Sequence, residues 1–223
     1  MTNYPSEKIA RRDIVEAGRR LYEKNLVCAN DGNISARISA HEIIATPTGV
    51  SKGFMTEDML IKLDTGGNVL SGLLNPSSEI KMHLAVYNAS PEIMAVCHAH
   101  PPAASAFAAA GVPLDKPVLQ ESVLLLGDIP VAAYAPPGSQ ELAHSVAALC
   151  RDFGGALLEH HGAVSFGRSI TDSLFKMERI EYMAMVIMYS KLMGFTRTLD
   201  EAQVQTLEVL KRELNRDTET DGT

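Results

Sequence analysis

The stretch MAVCHAHPPAASAFAAAG, residues 94–111, combines a short apolar run, two histidines and an alanine-rich segment. Residues 95–100 are predicted to form a buried strand, which the following two prolines end because proline cannot donate to a sheet. Residues 102–110 then predict a helix closed by Gly111. Side chains on a strand alternate between faces, so His98 and His100 point to the same side about 6.6 Å apart. One metal ion can bridge that gap with bonds of about 2.1 Å to the imidazole nitrogens.

Two histidines alone are more simply explained as unrelated side chains near the end of a strand. The sequence His160-His161-Gly162, after the apolar residues 156–158, offers a third imidazole. Three protein ligands leave one coordination position open, which is typical of a catalytic metal ion and not of a structural one. The other histidines lie in polar or helical surroundings, and we interpret them as surface or packing residues: His41, His83 and His144.

Length and composition indicate an ordinary enzyme domain. The chain has 223 residues, a formal net charge of −7, 46% hydrophobic and 21% charged residues, which fits one domain with a full core. Its lysines and arginines are scattered, which disfavours nucleic acid or a membrane as a partner. No apolar run approaches the roughly 20 residues that span a bilayer, and the first residues lack the pattern of a signal peptide. Three cysteines without a CxxC pair indicate reduced thiols, so we expect a cytoplasmic protein.

Helical and strand patterns mix along the chain without a regular strand-helix-strand rhythm. Helices are predicted at residues 6–25, 76–87, 139–150, 170–193 and 201–214. Further strands are predicted at residues 34–38, 42–45, 59–63, 156–158 and 164–166. We therefore expect one α/β domain over residues 1–223 with a mixed or largely antiparallel sheet. Its core covers roughly residues 9–193, followed by a C-terminal helix and polar tail at residues 201–223.

The segment Pro76-Ser77-Ser78-Glu79 has the composition of an anion site. Two hydroxyls and free N–H groups at a predicted helix start form a place where phosphate can bind. A plain N-cap, with Glu79 as an acidic residue in the first turn, explains the same residues without a ligand.

Two loops could complete such an anion site. GNISAR at residues 32–37 places Gly32 and Asn33 before a strand. TPTG at residues 46–49 places Thr48 and Gly49 in a turn whose hydroxyl and N–H groups suit an anion. Either segment is also explained as an ordinary turn, so neither is specific alone.

The five motifs GNISAR, TPTG, PSSE, HAH and HHG, in this order and at these separations, resemble the class II aldolase and adducin-head family. The likeness covers roughly residues 9–193, which is most of the chain. The resemblance implies a three-layer α/β fold with a central, largely antiparallel sheet flanked by helices. It also implies a cyclic homotetramer with active sites at the subunit interfaces.

The same resemblance implies roles for individual residues. His98, His100 and His161 would bind a divalent metal ion, most often zinc, with cobalt or manganese as alternatives. Glu79 would be the catalytic base and in some members a further metal ligand. The implied phosphate site of the sugar-phosphate substrate comprises Gly32, Asn33, Thr48, Gly49, Ser77 and Ser78. Breaking a carbon–carbon bond beside a ketone leaves an enediolate, which a metal ion stabilises and a carboxylate protonates.

One departure from the family pattern concerns the second proton-transfer group. The fuculose-phosphate aldolase branch uses a tyrosine in the segment that corresponds to residues 117–122, PVLQES, and this segment contains none. The aspartate of the epimerase branch is also missing there. Glu121 is the only strong acid in the segment, and a Gln-Glu pair here resembles methylthioribulose-1-phosphate dehydratase. We interpret Glu121 as the second acid–base group, with a surface glutamate as the alternative.

The expected function is zinc-dependent cleavage of a ketose 1-phosphate to dihydroxyacetone phosphate and an aldehyde. Fuculose, ribulose and 5-deoxy- or methylthio-pentulose 1-phosphates all fit as substrates. The alternatives are a pentulose-phosphate 4-epimerase and a methylthioribulose-1-phosphate dehydratase, which use the same metal site. A non-enzymatic adducin-like domain would not need metal ligands, so the three histidines together with Glu79 argue against that class.

Overall fold

The computed structural model describes residues 4–220 and contains an eight-stranded sheet with helices on both faces. The strands are β1 (Asn33–Arg37), β2 (Glu42–Ala45), β3 (Ile61–Asp64), β4 (Val69–Ser71), β5 (Ala95–Ala99), β6 (Val131–Ala132), β7 (Gly155–Leu158) and β8 (Gly162–Gly167). Their order in the sheet is β4-β3-β2-β1-β5-β8-β7-β6. Every neighbouring pair is antiparallel except β6 and β7. The predicted largely antiparallel sheet is confirmed.

Helices cover the sheet from two sides and make the fold a three-layer structure. They are α1 (Glu7–Glu23), α2 (Ile80–Ala89), α3 (Pro102–Ala109), α4 (Gln140–Leu149), α5 (Ile170–Leu192) and α6 (Glu201–Thr220). One apolar cluster joins α1, α3 and α5 to one face, and a second joins α2 and α4 to the other. Each fully buried aliphatic side chain in these clusters stabilises the folded state by about 1.5–3 kcal/mol relative to an exposed one. Within the described residues, no helix combines the length and apolarity needed to cross a membrane.

Strand β5 lies in the middle of the sheet and carries the first of the motif histidines. Val96 packs in the cluster with α2 and α4, whereas Cys97 packs in the cluster with α1, α3 and α5. His98 follows Val96 by two residues and therefore faces the α2 and α4 side. The register pairs His98 with Asn33 of β1 and with Val164 of β8.

Two of the predicted strand boundaries move because the backbone forms hydrogen bonds elsewhere. The strand predicted at residues 59–63 begins at Ile61, since Glu57–Met59 forms a 3-10 turn before it. The strand predicted at residues 95–100 ends at Ala99, because the His100 N–H donates to the carbonyl of Leu26 outside the sheet at 3.0 Å. His100 is thus attached to the strand end without belonging to the ladder.

The predicted helix start at Pro76 is wrong by four residues. Helix α2 begins at Ile80 with Glu79 at the N-cap position. Pro76 instead forms an isolated antiparallel bridge with Pro47, which keeps this segment extended and joins it to the TPTG turn. Ser77 and Ser78 consequently lie in the turn that leads into the helix.

Candidate active site

Three imidazoles meet at one end of β5, β7 and β8. One ring nitrogen from each of His98, His100 and His161 lies within 4.8 Å of the others. The ring centroids are 4.7–4.9 Å apart, with no two rings parallel. His98 comes from the strand itself, His100 from just beyond its end, and His161 from the turn between β7 and β8. This spacing allows a single cation to contact all three rings.

The turn between β7 and β8 presents His161 through a tight backbone arrangement. The His161 N–H donates to the Leu158 carbonyl at 2.9 Å. His160 adopts a left-handed conformation with φ of +56°, which is uncommon for a residue with a Cβ atom. At Gly162, an added Cβ would lie 2.5 Å from the Ala99 carbonyl oxygen and 2.7 Å from the His100 ring. The glycine of the HHG motif is therefore required by the close approach of this turn to His100.

His98 is held as a neutral ring whose free lone pair faces the other two histidines. Its side chain is fully buried, and Nδ1 lies 2.9 Å from the Ala163 carbonyl oxygen. A carbonyl only accepts, so Nδ1 carries the proton and Nε2 of the neutral ring does not. Burial lowers the pKa of His98 to about 4, so the ring is uncharged at neutral pH. This is the protonation state that a metal ligand needs.

The Glu79 carboxylate lies beside the three rings. Its two oxygens are each 3.4 Å from a histidine Nε2, one from His98 and the other from His161. Burial raises its pKa, but His98, His161 and the Asn33 amide together outweigh this effect and leave the pKa of Glu79 below its usual value. Glu79 is therefore ionised at neutral pH.

Two buried polar atoms at this point lack a hydrogen-bond partner among the described residues. They are Oε1 of Glu79 and Nδ1 of His161. Buried polar atoms are normally hydrogen-bonded, and exceptions cluster where a ligand, water or ion completes the site. Neutral imidazole nitrogens next to a carboxylate are the donor set of a catalytic transition-metal site with an open position. The residues present thus fit a divalent metal ion.

A chain of buried hydrogen bonds runs from α2 to Glu79. Asn33 Nδ2 donates to Glu79 Oε2 at 2.8 Å, so its Oδ1 faces His83 Nε2 at 2.6 Å. His83 Nε2 must then carry the proton, and its Nδ1 accepts from the Ser35 hydroxyl at 2.7 Å. The Ser35 oxygen in turn accepts from the Tyr87 hydroxyl at 2.8 Å. Every member donates toward Glu79, which fixes the orientation of the Asn33 amide.

His83 was interpreted from the sequence as a surface or packing residue, and its role in this chain was missed. It is almost fully buried, and burial lowers its pKa to about 3, which keeps it neutral. A usable signal was present, because His83 follows Glu79 by four residues and Tyr87 follows by four more. That spacing puts side chains on one face of a helix.

The predicted phosphate-site residues lie around one cavity of about 200 Å³. The cavity is lined by Asn30, Asp31, Gly32, Asn33, Pro47, Thr48, Gly49, Lys52, Ser77, Ser78, Glu79, His100, Pro137 and His161. Ser77 Oγ accepts from the Glu79 N–H at 3.3 Å, which fixes the PSSE turn next to the carboxylate. Gly32 has φ of +77°, and a Cβ there would lie 2.8 Å from the His98 carbonyl oxygen. Hydroxyls, backbone groups and histidines of distant motifs thus face the same space.

Two charged lining residues, Asp31 and Lys52, were not predicted from the sequence. Asp31 Oδ2 lies 3.4 Å from Nδ1 of His100 and orients that ring from the outside. Lys52 is buried and reaches the cavity from a 3-10 turn. Neither carries a motif in the sequence, because both positions depend on loops that meet only in the folded chain.

Glu121 does not line the cavity at the histidines. It is exposed at the start of a π-helical turn, Ser122–Leu126, and lines a different cavity of about 710 Å³ with Phe175, Arg179 and Tyr182 of α5. Within one chain the structure therefore does not bring Glu121 to the metal-binding residues. Its acid–base role remains a prediction.

Comparison with known proteins gives the context for this geometry. The family model of the Class II Aldolase and Adducin N-terminal domain matches residues 12–188. An L-fuculose phosphate aldolase of Methanococcus maripaludis is 36% identical over 172 residues, covering 77% of this chain and 92% of that protein. A 3-oxo-tetronate 4-phosphate decarboxylase of Haemophilus influenzae is 31% identical over 210 residues, covering 90% of this chain and 97% of that protein.

Similarity in structure agrees with similarity in sequence. A solved L-fuculose 1-phosphate aldolase superposes with a TM-score of 0.82 at 27% identity, covering 89% of this chain and 93% of that one. The eight-stranded sheet and its helices thus match an experimentally determined architecture over nearly the whole chain.

Replacing His83 with alanine tests the buried hydrogen-bond chain. The change removes the hydrogen-bond donor to Asn33 Oδ1 and the acceptor of the Ser35 O–H in a dry environment, leaving Ser35 only its contact with Tyr87. We expect the free energy of unfolding to fall by about 2–4 kcal/mol. The matched control is His144→Ala, at an exposed position of α4, which should change it by less than about 0.5 kcal/mol. Urea unfolding followed by circular dichroism measures both, and a His83 effect no larger than the control would contradict the assignment.

Proposed function

Because this chain belongs to the class II aldolase and adducin N-terminal domain family and is a lyase of that family, we propose that it cleaves a ketose 1-phosphate to dihydroxyacetone phosphate and an aldehyde. The observation that carries this proposal is the convergence of His98, His100 and His161 beside the Glu79 carboxylate. Its similarity to L-fuculose phosphate aldolases supports the class of substrate.

We propose Zn²⁺ as the metal ion, held by His98, His100 and His161 with Glu79 within reach as a further ligand. Imidazole nitrogens favour zinc, and cobalt or manganese are the alternatives for this donor set. A divalent cation bound there supplies a Lewis acid for the negative charge that develops on the ketone oxygen. The protein's part is to keep the His98 ring neutral, through burial and its bond to the Ala163 carbonyl.

Glu79 is proposed to move the proton at the carbon next to the ketone. Asn33 holds its Oε2 oxygen, while Oε1 has no hydrogen-bond partner among the described residues. The lowered pKa of Glu79 keeps the carboxylate ready to take a proton in the direction of synthesis. In the direction of cleavage, Glu79 first takes up a proton from solvent and then gives it to the same carbon, while the hydroxyl that becomes the aldehyde loses its own proton to a second acid–base group.

The phosphate is proposed to bind at the other lining residues of the cavity. The hydroxyls of Thr48, Ser77 and Ser78 and the backbone at Gly49 offer donors to its oxygens. Gly49 has φ of +75° with open space around the position of a Cβ atom, so the backbone conformation and not crowding explains this glycine. Fixing the phosphate away from the reacting bond orients the substrate before the chemical step.

Decarboxylation is a second candidate function, because relatives named 3-oxo-tetronate 4-phosphate decarboxylase match up to 90% of this chain. In such a 3-oxo acid, the bond between C1 and C2 breaks and its electron pair moves toward the ketone oxygen. Carbon dioxide leaves, and a proton added at C2 gives dihydroxyacetone phosphate. Loss of carbon dioxide from an ionised carboxylate needs no base. Aldol cleavage does need a base, because the substrate hydroxyl that becomes the aldehyde must lose its proton. The described cavity lining includes no tyrosine, and Glu121 lines another cavity, which favours this candidate.

Aldol cleavage needs a second proton-transfer group, and we propose that Glu121 supplies it from a neighbouring subunit of a homotetramer. Exposed Phe175 and Tyr182 beside Glu121 offer apolar surface for such an interface. Replacing Glu121 with glutamine should then lower turnover by roughly 100-fold without changing assembly. Steady-state kinetics and light scattering measure the two effects. A loss below a few-fold would make Glu121 a surface residue.

Product analysis across a substrate panel tests the proposed reaction. The panel contains fuculose, ribulose, 5-deoxy- and 5-methylthioribulose 1-phosphates, ribulose 5-phosphate and 3-oxo-tetronate 4-phosphate, each with and without chelator. We expect dihydroxyacetone phosphate and an aldehyde from a ketose 1-phosphate, with activity lost in chelator and restored by zinc. Dihydroxyacetone phosphate and carbon dioxide from the 3-oxo acid alone would establish the second candidate. An epimer or a dehydrated sugar as the only product would overturn both.

Glu79→Gln tests the proposed base. Glutamine keeps the shape of the side chain but cannot accept the proton, so deuterium exchange into dihydroxyacetone phosphate in D₂O should fall by about 1000-fold or more. Binding of dihydroxyacetone phosphate should change far less. Glu141→Gln, at an exposed position of α4, is the matched control. Exchange at the wild-type rate in Glu79→Gln would remove Glu79 from this role.

A further inference from the structure

Lys52 is a buried cation whose contacts in the protein are to neutral groups. The residue is 1% exposed. Its Nζ donates to the carbonyl oxygen of Asn30 at 2.9 Å and to that of Val50 at 2.6 Å. Among the described residues no carboxylate lies within ion-pair distance of it, and Asp31 acts on the buried ammonium only from farther away. A buried charge of this kind is costly unless a partner completes it.

The turn that carries Lys52 packs closely against helix α1. Gly18 of α1 packs against the Lys52 backbone, since a Cβ at Gly18 would lie 2.8 Å from the Lys52 carbonyl oxygen. The following Gly53 packs against the Tyr22 ring in the same manner, with a Cβ contact of 2.5 Å. The turn Lys52–Phe54 is therefore fixed against the helix, and the position of the side chain is not that of a mobile surface lysine.

The side chain joins two loops of the candidate active site and lines their common cavity. The Asn30 carbonyl belongs to the loop that precedes Gly32, and the Val50 carbonyl follows Gly49. Lys52 is the only lysine or arginine among the described residues that line this cavity, whereas Asp31 and Glu79 both bring carboxylates to it. A phosphate dianion entering a space with two carboxylates needs a cation next to it. An ammonium has three N–H bonds, and the protein contacts described here use two.

We infer that Lys52 supplies the positive charge that binds the phosphate group of the substrate. The inference deepens the proposed function and rests on it for the identity of the phosphorylated ligand. Burial lowers the pKa of Lys52 to about 8, with Asp31 acting in the opposite direction, so most of the ammonium is still protonated at pH 7. Binding of an anion favours the charged form further.

The first experiment measures inorganic phosphate binding to the full-length protein by isothermal titration calorimetry. Lys52→Met removes the charge and keeps an unbranched side chain, and we expect it to weaken phosphate binding by about 30-fold or more. The control Lys8→Met, at an exposed position of α1, should bind phosphate like the wild type. A folded Lys52→Met variant with unchanged phosphate affinity would overturn the inference. If Lys52→Met does not fold, Lys52→Arg and Lys52→Gln are compared, and we expect the arginine variant to retain the phosphate binding that the glutamine variant loses. Equal phosphate affinity in these two variants would also overturn the inference.

The second experiment separates charge from loop anchoring. Deuterium exchange is compared between dihydroxyacetone phosphate and unphosphorylated dihydroxyacetone. Lys52→Met should lower kcat/KM for the phosphorylated compound by roughly 100-fold and leave the unphosphorylated one within about two-fold. An equal loss for both would show that Lys52 only holds the loops together. If the wild type exchanges neither compound, the proposed function fails, while the phosphate titration still decides the role of Lys52.

Discussion

The pairing of β5 between β1 and β8 is the constraint from which the rest of the site follows. It sets Asn33 opposite His98 on one side and Val164 opposite His98 on the other. The same register brings the Ala163 carbonyl to Nδ1 of His98, which determines the tautomer of that ring. It also brings the turn before β8, with His161, to the end of the strand. A slip of one residue would turn His98 toward the opposite layer, where Cys97 now lies.

Burial, and the contacts that offset it, determine the charges of His83, His98, Glu79 and Lys52. Desolvation keeps His98 and His83 neutral, so one has a free lone pair and the other a single N–H to donate. Glu79 stays ionised because its hydrogen bond to Asn33 and the nearby imidazoles offset the same desolvation. Lys52 is also buried, and its pKa of about 8 leaves it mostly protonated at pH 7. A carboxylate next to neutral imidazoles, with an ammonium lining the same cavity, suits a substrate that has both a polarisable ketone and an anionic end.

Much of the fold was accessible from the sequence, because strand alternation and helix caps are local properties. Ser6 and Ser139 cap α1 and α4, the two helices that were predicted to begin at these positions, and the spacing of His98 and His100 predicted their shared face. The start of α2 was wrong because the bridge between Pro47 and Pro76 joins residues far apart in sequence. For His83 the sequence offered only its helical spacing from Glu79 and Tyr87, because its hydrogen-bond partners Asn33 and Ser35 lie on β1. Lys52 was missed because one of its partners, Asn30, lies on a distant loop. The placement of Glu121 likewise depends on packing against α5.

Gly162 is required by the fold and not by metal binding. Its missing side chain lets the β7–β8 turn approach the Ala99 carbonyl and the His100 ring, so the backbone needs this glycine whether or not a cation ever binds. The three imidazoles are not required by the backbone, since no strand pairing depends on their side chains. A descendant of this scaffold that abandoned catalysis would therefore be free to lose its histidines while still retaining the glycine. Within the HHG motif, the fold requires Gly162, whereas His161 is required only by the proposed metal site.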